Sequence, residues 1–456
     1  MTAYFFVGIG GSGMLPLAEI VRAQGAEVAG SDRALDQGRT TPKFDALAAQ
    51  GIGLHAQDGR GVVSPDQIVV ASAAIEATVP DIVRATELGC TRMTRAELLA
   101  ELFNAAPLSI AVGGTSGKST VTGMIGHILA TAGRDPTIMN GARMKDFGGA
   151  SARVGNGDLF VSEVDESDGS IALFKPSIAV LNNLAVDHKS LDELRTLFGD
   201  FARTARRCAV NADNAEALAV APEGAFTFGT SRTAMLRATA IEERADGVDF
   251  TATHGDMVVE VSLRVPGRHN VSNALAALAG TALAGLRLKD AAEAIAGFTG
   301  LDRRLDVLGT ANGVTVIDDF GHNPDKVAAT LQTLRAFPGR LLVFFQPHGY
   351  GPLKLMAPEL ARSFAASLAP EDRLIVSDPA YFGGTTDRSV GSDALTSRVP
   401  NAEHIASRGA CAARLLDLAT PGDRIIVMGA RDDTLTDFAK QLLETLSRSP
   451  PSVVEG

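Results

Sequence analysis

Ten residues, Ala111-Val112-Gly113-Gly114-Thr115-Ser116-Gly117-Lys118-Ser119-Thr120, constrain this 456-residue chain more than any other stretch. Leu108, Ser109 and Ile110 before them read as the end of a buried strand. Val121, Met124, Ile125, Ile128 and Leu129 after them recur at helical spacing. A strand that passes through a glycine turn into a helix aims consecutive backbone N–H groups at one point, and the helix N-terminus adds partial positive charge. Lys118 adds a full charge, and Ser119 or Thr120 offers a hydroxyl to a magnesium ion. Such a set of groups suits a nucleotide polyphosphate. The strict phosphate-loop pattern requires glycine where Val112 stands, so the shorter Gly-Thr-x-Gly-Lys-Ser-Thr carries the reading, supported by its flanking strand and helix.

A second glycine turn lies near the N-terminus. Gly8, Gly10 and Gly13 satisfy G-x-G-x-x-G between a strand at 4–8 and a helix at 14–24. A second strand at 26–30 then ends at Ser31-Asp32. That pattern fits a dinucleotide site with Asp32 as acceptor for a ribose or base, and equally the diphosphate of a nucleotide sugar or a tight turn with no ligand. Strands and helices then alternate as far as Ala105-Ala106-Pro107, which places a first boundary after residue 106.

Between 107 and 305 the chain carries acidic and imidazole groups. An apolar strand at 159–162 runs into Glu163-Val164-Asp165-Glu166-Ser167-Asp168, four carboxylates in six residues. Their mutual repulsion calls for a cation, and magnesium fits; a solvated acidic loop is the other reading. The strand at 178–181 leads to Asn182-Asn183 and then to Asp187-His188, at the sheet end where ligands collect in parallel α/β folds. Residues 235–264 alternate as short strands with turns near 245–247 and 254–256. Asn270 and Asn273 stand three apart on a helix, suited to a base edge or, for Asn270, to capping. A further α/β unit fills 306–456.

Composition closes off several classes. A net charge of −11 excludes nonspecific nucleic-acid binding, and no tryptophan with three tyrosines leaves no base-stacking platform. No apolar run approaches the roughly 18 residues of a membrane span. Cys90, Cys208 and Cys411 lie far apart without metal-ligand spacing, which predicts free thiols in the cytoplasm.

Seven motifs in one order resemble the Mur ligases, the ATP-dependent amide-forming enzymes of bacterial peptidoglycan synthesis. They are Gly8–Met14, Gly114–Thr120, Glu163–Asp168, Asn183 with Asp187-His188, Pro266–Asn270 with Asn273, Asp318–Pro324 and Phe345–His348. The pattern is most like the branch that adds alanine to UDP-N-acetylmuramate and its peptide-recycling relative. The resemblance implies an α/β chain of three domains: N-terminal Rossmann-like (1–106, UDP-sugar), central P-loop ATPase-type parallel sheet (107–305, ATP), and C-terminal Rossmann-like (306–456, amino substrate).

The same resemblance implies residue roles. Gly10, Gly11, Ser12, Gly13, Asp32 and Ser72 hold the UDP sugar. Gly114, Thr115, Ser116, Gly117, Lys118, Ser119, Thr120, Asn270, Asn273, Arg304 and Asp319 hold ATP. Lys118, Glu163 and His188 are catalytic, and Ser119, Thr120, Glu163 and His188 bind Mg2+. His322, His348 and Tyr350 meet an amino acid or short peptide, in a monomer or homodimer acting without nucleic acid or membrane. The chain departs from the alanine-adding branch at Gly349, where that branch has arginine, at 380–384 and at Arg431, all in the last domain. Alternatives are a tripeptide-recycling ligase, a ligase of another amino acid and, from a different class, an NAD-dependent oxidoreductase built on the first glycine turn.

Overall fold

The computed structural model describes residues 2–38, 41–72, 75–185, 189–381, 387–430, 432 and 434–448. His188, Arg431 and residues 382–386 lie outside the described residues. Three sheets organise the chain. The first has five parallel strands, with Ala3–Val7 central between Glu27–Ser31 and Gln67–Ala71. The second has ten strands. Its centre is Leu108–Gly113, paired in parallel with Ile178–Leu181 on one side and Leu159–Glu163 on the other. The third has six strands, an antiparallel hairpin (Asp306–Ala311 with Val314–Asp319) on an otherwise parallel sheet through Arg424–Gly429 and Leu341–Gln346.

Central strands are continuous apolar runs because helices cover both faces of a parallel sheet. Ile110, Ala111, Val112, Val180 and Leu181 are wholly buried. Local signals set the helices between them. Thr94 and Glu97 form a capping box at the start of Arg95–Ala105, and Ser190 and Glu193 form another at Leu191–Thr204. Asn323 accepts from the Lys326 amide, with Pro324 as the first residue of Pro324–Arg335.

The chain divides into two compact units. One holds the first two sheets (Met1–Glu242, Val248–Arg264 and His269–Gly300), and the other the third sheet (Glu243–Gly247, Val265–Arg268 and Leu301–Gly456). In the first unit, one hydrophobic core runs beneath both sheets. Phe103, on the last helix of the first sheet's region, stacks edge-on against Phe160 and Phe174, with ring centroids 5.6 and 5.2 Å away. The Asn104 side chain donates to the Leu173 carbonyl at 2.9 Å and accepts from the Lys175 amide at 2.8 Å. The third sheet has a core on each face. Among the described residues, no helix is long and apolar enough to cross a membrane.

Candidate active site

The glycine turn joins the strand Leu108–Gly113 to the helix Lys118–Thr131, as the sequence pattern predicts. Val112, at the position of the missing glycine, is a buried strand residue, so the turn starts one residue later, at Gly113-Gly114. Gly114 and Gly117 take φ values of 143° and 82°, a backbone region that side chains resist. Gly117 also lacks room: a Cβ there would come within 2.5 Å of both Asn182 Nδ2 and Asn273 Oδ1.

Two asparagines after the strand Ile178–Leu181 clamp this turn. Asn183 Oδ1 accepts from the Thr115 hydroxyl and the Ser116 amide, each at 2.9 Å, and its Nδ2 donates to the Ser116 carbonyl at 3.0 Å. Asn182 Nδ2 donates to Ser116 O at 3.1 Å and to Asn273 Oδ1 at 3.0 Å. Asn273 Nδ2 in turn donates to Asn270 Oδ1 at 2.9 Å. Asn270 and Asn273 are thus buried behind the turn. Asn270 lies inside the helix His269–Leu283 and does not cap it. The bracing role of Asn182 escapes sequence reasoning, because its partners stand 66 and 91 residues away.

Lys118 folds back over the turn. Its Nζ donates to Gly114 O at 2.8 Å and pairs with Glu166 Oε2 at 2.7 Å, and Glu166 is 5% exposed. The four carboxylates after Leu159–Glu163 therefore separate by task. Glu166 neutralises Lys118, and Glu163 Oε2 accepts from the Ser119 hydroxyl at 2.8 Å. Asp165 and Asp168 close local turns onto the amides of Ser167 and Ser170. Burial would raise the Asp165 carboxyl, but bonds from Ser167 and the charges of Lys118 and Arg95 outweigh it and hold its pKa low.

The Ser119–Glu163 pair offers donors of the kind a magnesium ion takes. Both are hard oxygen ligands at the head of the phosphate-turn helix, which suits Mg2+. Among the described residues, no group of three His, Cys, Asp or Glu side chains forms a closed cage. An ion here would complete its shell with phosphate oxygens and water, the usual habit of Mg2+. Thr120 is half-buried one residue further along the same turn.

In the first sheet, the turn at 8–13 follows Ala3–Val7 and precedes the helix Met14–Ala23. Asp32 Oδ2 accepts from the Gly10 amide at 2.8 Å and Oδ1 from the Ala34 amide at 2.7 Å. Both oxygens thus hold the turn and cap the short helix after it. Lys43 Nζ donates to Gly10 O at 2.7 Å. A Cβ on Gly13 would meet the Arg95 side chain at 2.8 Å. Gly11 and Ser12 are exposed in the turn, and Ser72 is exposed just past Gln67–Ala71.

In the third-sheet unit, Asp319 is likewise engaged within the fold. It accepts from the Leu305 amide (2.9 Å), the Gly321 amide (2.8 Å) and the Thr330 hydroxyl (2.9 Å). Arg304 lies over the Phe320 ring at 5.1 Å. Arg303 is buried, pairs with Asp318 at 3.3 Å and donates to Gly429 O at 2.7 Å. His322 and His348 stack edge to face at 5.0 Å, and Tyr350 packs against Tyr381 at 6.3 Å. His322 Nδ1 donates to Phe320 O at 2.8 Å, which leaves the lone pair on Nε2. Burial, aided by the Lys326 charge, pushes the His322 pKa down to about 4, so its ring is neutral at physiological pH. At the same carboxyl ends of the strands, a cavity of about 260 Å³ is lined by Gln346, Ser377, Asp378, Tyr381, Arg408 and Asp432. The Gln346 amide donates to Asp432 at 2.9 Å across the point where strand order reverses, a common ligand position in open α/β sheets.

A brace of asparagines, a lysine turn and a serine–glutamate pair stand together at one end of the ten-stranded sheet, the arrangement of a nucleotide-dependent α/β enzyme. Three family models match in sequence order: Mur ligase family, catalytic domain (residues 3–106); Mur ligase middle domain (112–281); and Mur ligase, glutamate ligase domain (303–431). The chain belongs to the Mur ligase family, which makes it an ATP-dependent, amide-forming ligase of peptidoglycan synthesis. It is 34% identical to the UDP-N-acetylmuramate–L-alanine ligase of Geotalea daltonii, over 98% of each chain. It is 37% identical to the enzyme of that name from Synechococcus sp. strain JA-3-3Ab, covering 95% of this chain and 84% of the relative. Its fold matches the UDP-N-acetylmuramate–alanine ligase of Thermotoga maritima (TM-score 0.80, 24% identity, 98% and 99% covered). It also matches a murein peptide ligase of Psychrobacter arcticus (TM-score 0.71, 23% identity, 99% and 100% covered). Membership removes the oxidoreductase alternative for the first glycine turn.

Proposed function

We propose that this chain joins L-alanine to the lactyl carboxylate of UDP-N-acetylmuramate. The reading is supported by full-length relatives of that name at 34–37% identity. One observation carries the chemistry: Lys118 and the Ser119–Glu163 pair converge on one phosphate turn. The carboxylate oxygen of the muramyl substrate attacks the γ-phosphorus of ATP and ADP leaves. The amine nitrogen then attacks the acyl carbon of the acyl phosphate, inorganic phosphate leaves, and the nitrogen gives up a proton.

Lys118 moves from Glu166 to the phosphates, and the backbone of 114–117 cradles them. Ser119, Thr120 and Glu163, with His188, are the residues that would hold magnesium, which when bound screens the charge of two anions brought together. Gly10–Gly13 with Asp32 and Ser72 take the UDP sugar. Arg304 and Asp319 approach the nucleotide, and Asn270 and Asn273 serve the adenine pocket. His322, His348 and Tyr350 face the amine. Neutral His322 suits that task, since it offers a lone pair to an ammonium group without repelling it. The enzyme works in the cytoplasm as a monomer or homodimer.

A second reading, a tripeptide or another amino acid as the amine, is favoured by Gly349. Glycine offers no bidentate partner for a carboxylate where the alanine-adding branch has arginine. A panel of amino acids and murein tripeptide, scored by phosphate release with UDP-N-acetylmuramate, ATP and Mg2+, separates the two. L-alanine gives the highest kcat/KM if the proposal holds, and a clear preference for another amine overturns it.

A further inference from the structure

We infer that Gly141, with Asn140 beside it, is a positioning residue for the magnesium-binding pair, an inference that rests on the proposed metal role of Glu163. The strand Thr137–Met144 runs parallel to Leu159–Glu163, with Met139 opposite Ser162, which brings residues 140 and 141 alongside Glu163. Asn140 is 1% exposed. Its Nδ2 donates to the Ser119 carbonyl at 3.0 Å and its Oδ1 accepts from the Ala142 amide at 2.9 Å, so it ties the first turn of the phosphate-turn helix to this strand.

Gly141 acts through the space it leaves. Its backbone is outside the positive-φ region, so conformation does not call for glycine here. A Cβ at 141 would overlap Glu163 Oε1, and the three nearest atoms to that Cβ all belong to the Glu163 carboxylate. The missing side chain lets the carboxylate lie against the strand with its other oxygen turned to Ser119 Oγ. Any side chain at 141 displaces that carboxylate from the hydroxyl, and supporting residues of this kind set metal affinity by roughly 10- to 100-fold.

The test is ADP binding to the full chain by calorimetry, with Mg2+ and with chelator. Wild-type protein should bind ADP more tightly with Mg2+ than with chelator; equal affinity in the two would overturn the metal role and the inference with it. G141A should lose about tenfold or more of that Mg2+-dependent gain while its chelator affinity stays within about twofold. In a Glu163→Ala background, where nothing occupies the space, G141A should change neither value. Should G141A alone fail to fold, G141A in the Glu163→Ala background folds, and failure there as well overturns the inference. If G141A keeps the wild-type Mg2+ gain while Glu163→Ala loses it, the inference falls and the metal role of Glu163 stands. If Glu163→Ala itself keeps the gain, the metal role falls and takes the inference with it.

Discussion

At the scale of single residues, the site's charges are already paired within the protein. Lys118 rests on Glu166 in a nearly buried ion pair. If Lys118 binds phosphate as proposed, the phosphates compete with that carboxylate, so Glu166→Gln should raise nucleotide affinity severalfold without Mg2+, read by calorimetry. It should also cost about 1–2 kcal/mol of stability, below the full price of breaking a buried pair because Lys118 is partly exposed and keeps Gly114 O. Weaker binding in that variant would mean that Glu166 helps to hold the nucleotide. The His322 ring should titrate near 4 by NMR, since burial disfavours its cation. A midpoint at the ordinary value of about 6.5 would contradict its environment and its neutral role toward an ammonium. Lys118, Ser119 and Glu163 are legible in sequence because each sits in a contiguous motif. The pairing of Glu166 with Lys118 spans 48 residues, and Gly141 acts through an absent side chain, so neither leaves a linear signal. Asp32 and Asp319 carry bonds that their motifs do not announce: beside the ligand roles proposed for them, their oxygens accept from backbone amides and a hydroxyl of the fold.

At the scale of elements, apolar runs mark the buried strands well. Ile68–Ala71, Ile178–Leu181 and Leu341–Phe345 all fall in parallel strands, the last two buried throughout and the first buried except for a half-buried Ile68. The strand that carries Asn140 and Gly141, Thr137–Met144, mixes asparagine, glycine and arginine in at positions 140, 141 and 143. It pairs with Ala150–Arg153 across a register shift, so neither alternation nor an apolar run announces it. The carboxyl end of the edge strand Ala402–His404 carries a pH-dependent tie. His404 Nδ1 lies 2.6 Å from Asp393 and Nε2 2.7 Å from Asp378. Burial lowers the imidazole pKa, but the two carboxylates outweigh it and hold the value raised. A raised folded-state pKa contributes stability that is full below the unfolded value of about 6.5 and lost as pH rises through the folded value. His404→Gln should therefore cost about 0.5–1 kcal/mol in urea denaturation near pH 6, and close to nothing near pH 9. A cost that grows with pH would reverse the assignment.

At the scale of the whole molecule, the sequence reads as three α/β segments, and three sheets are present. What composition and periodicity do not convey is that the first two sheets share a core, because the contacts that join them link distant segments such as Phe103 with Phe160 and Phe174. Phe103→Ala should cost about 3–5 kcal/mol and lower the stability of both sheets in one transition, followed by hydrogen exchange on strands of each. Loss confined to the first sheet would show that they are independent. The central claim is that the lysine turn and the serine–glutamate pair activate a muramyl carboxylate with ATP. The measurement that tests it most directly is phosphate release by the full chain with UDP-N-acetylmuramate, ATP, Mg2+ and L-alanine, wild type against Lys118→Ala. The account predicts release that requires both the muramyl nucleotide and the amine and is abolished in Lys118→Ala. Release that persists at the wild-type rate in that variant, or that ignores the muramyl nucleotide, would contradict it.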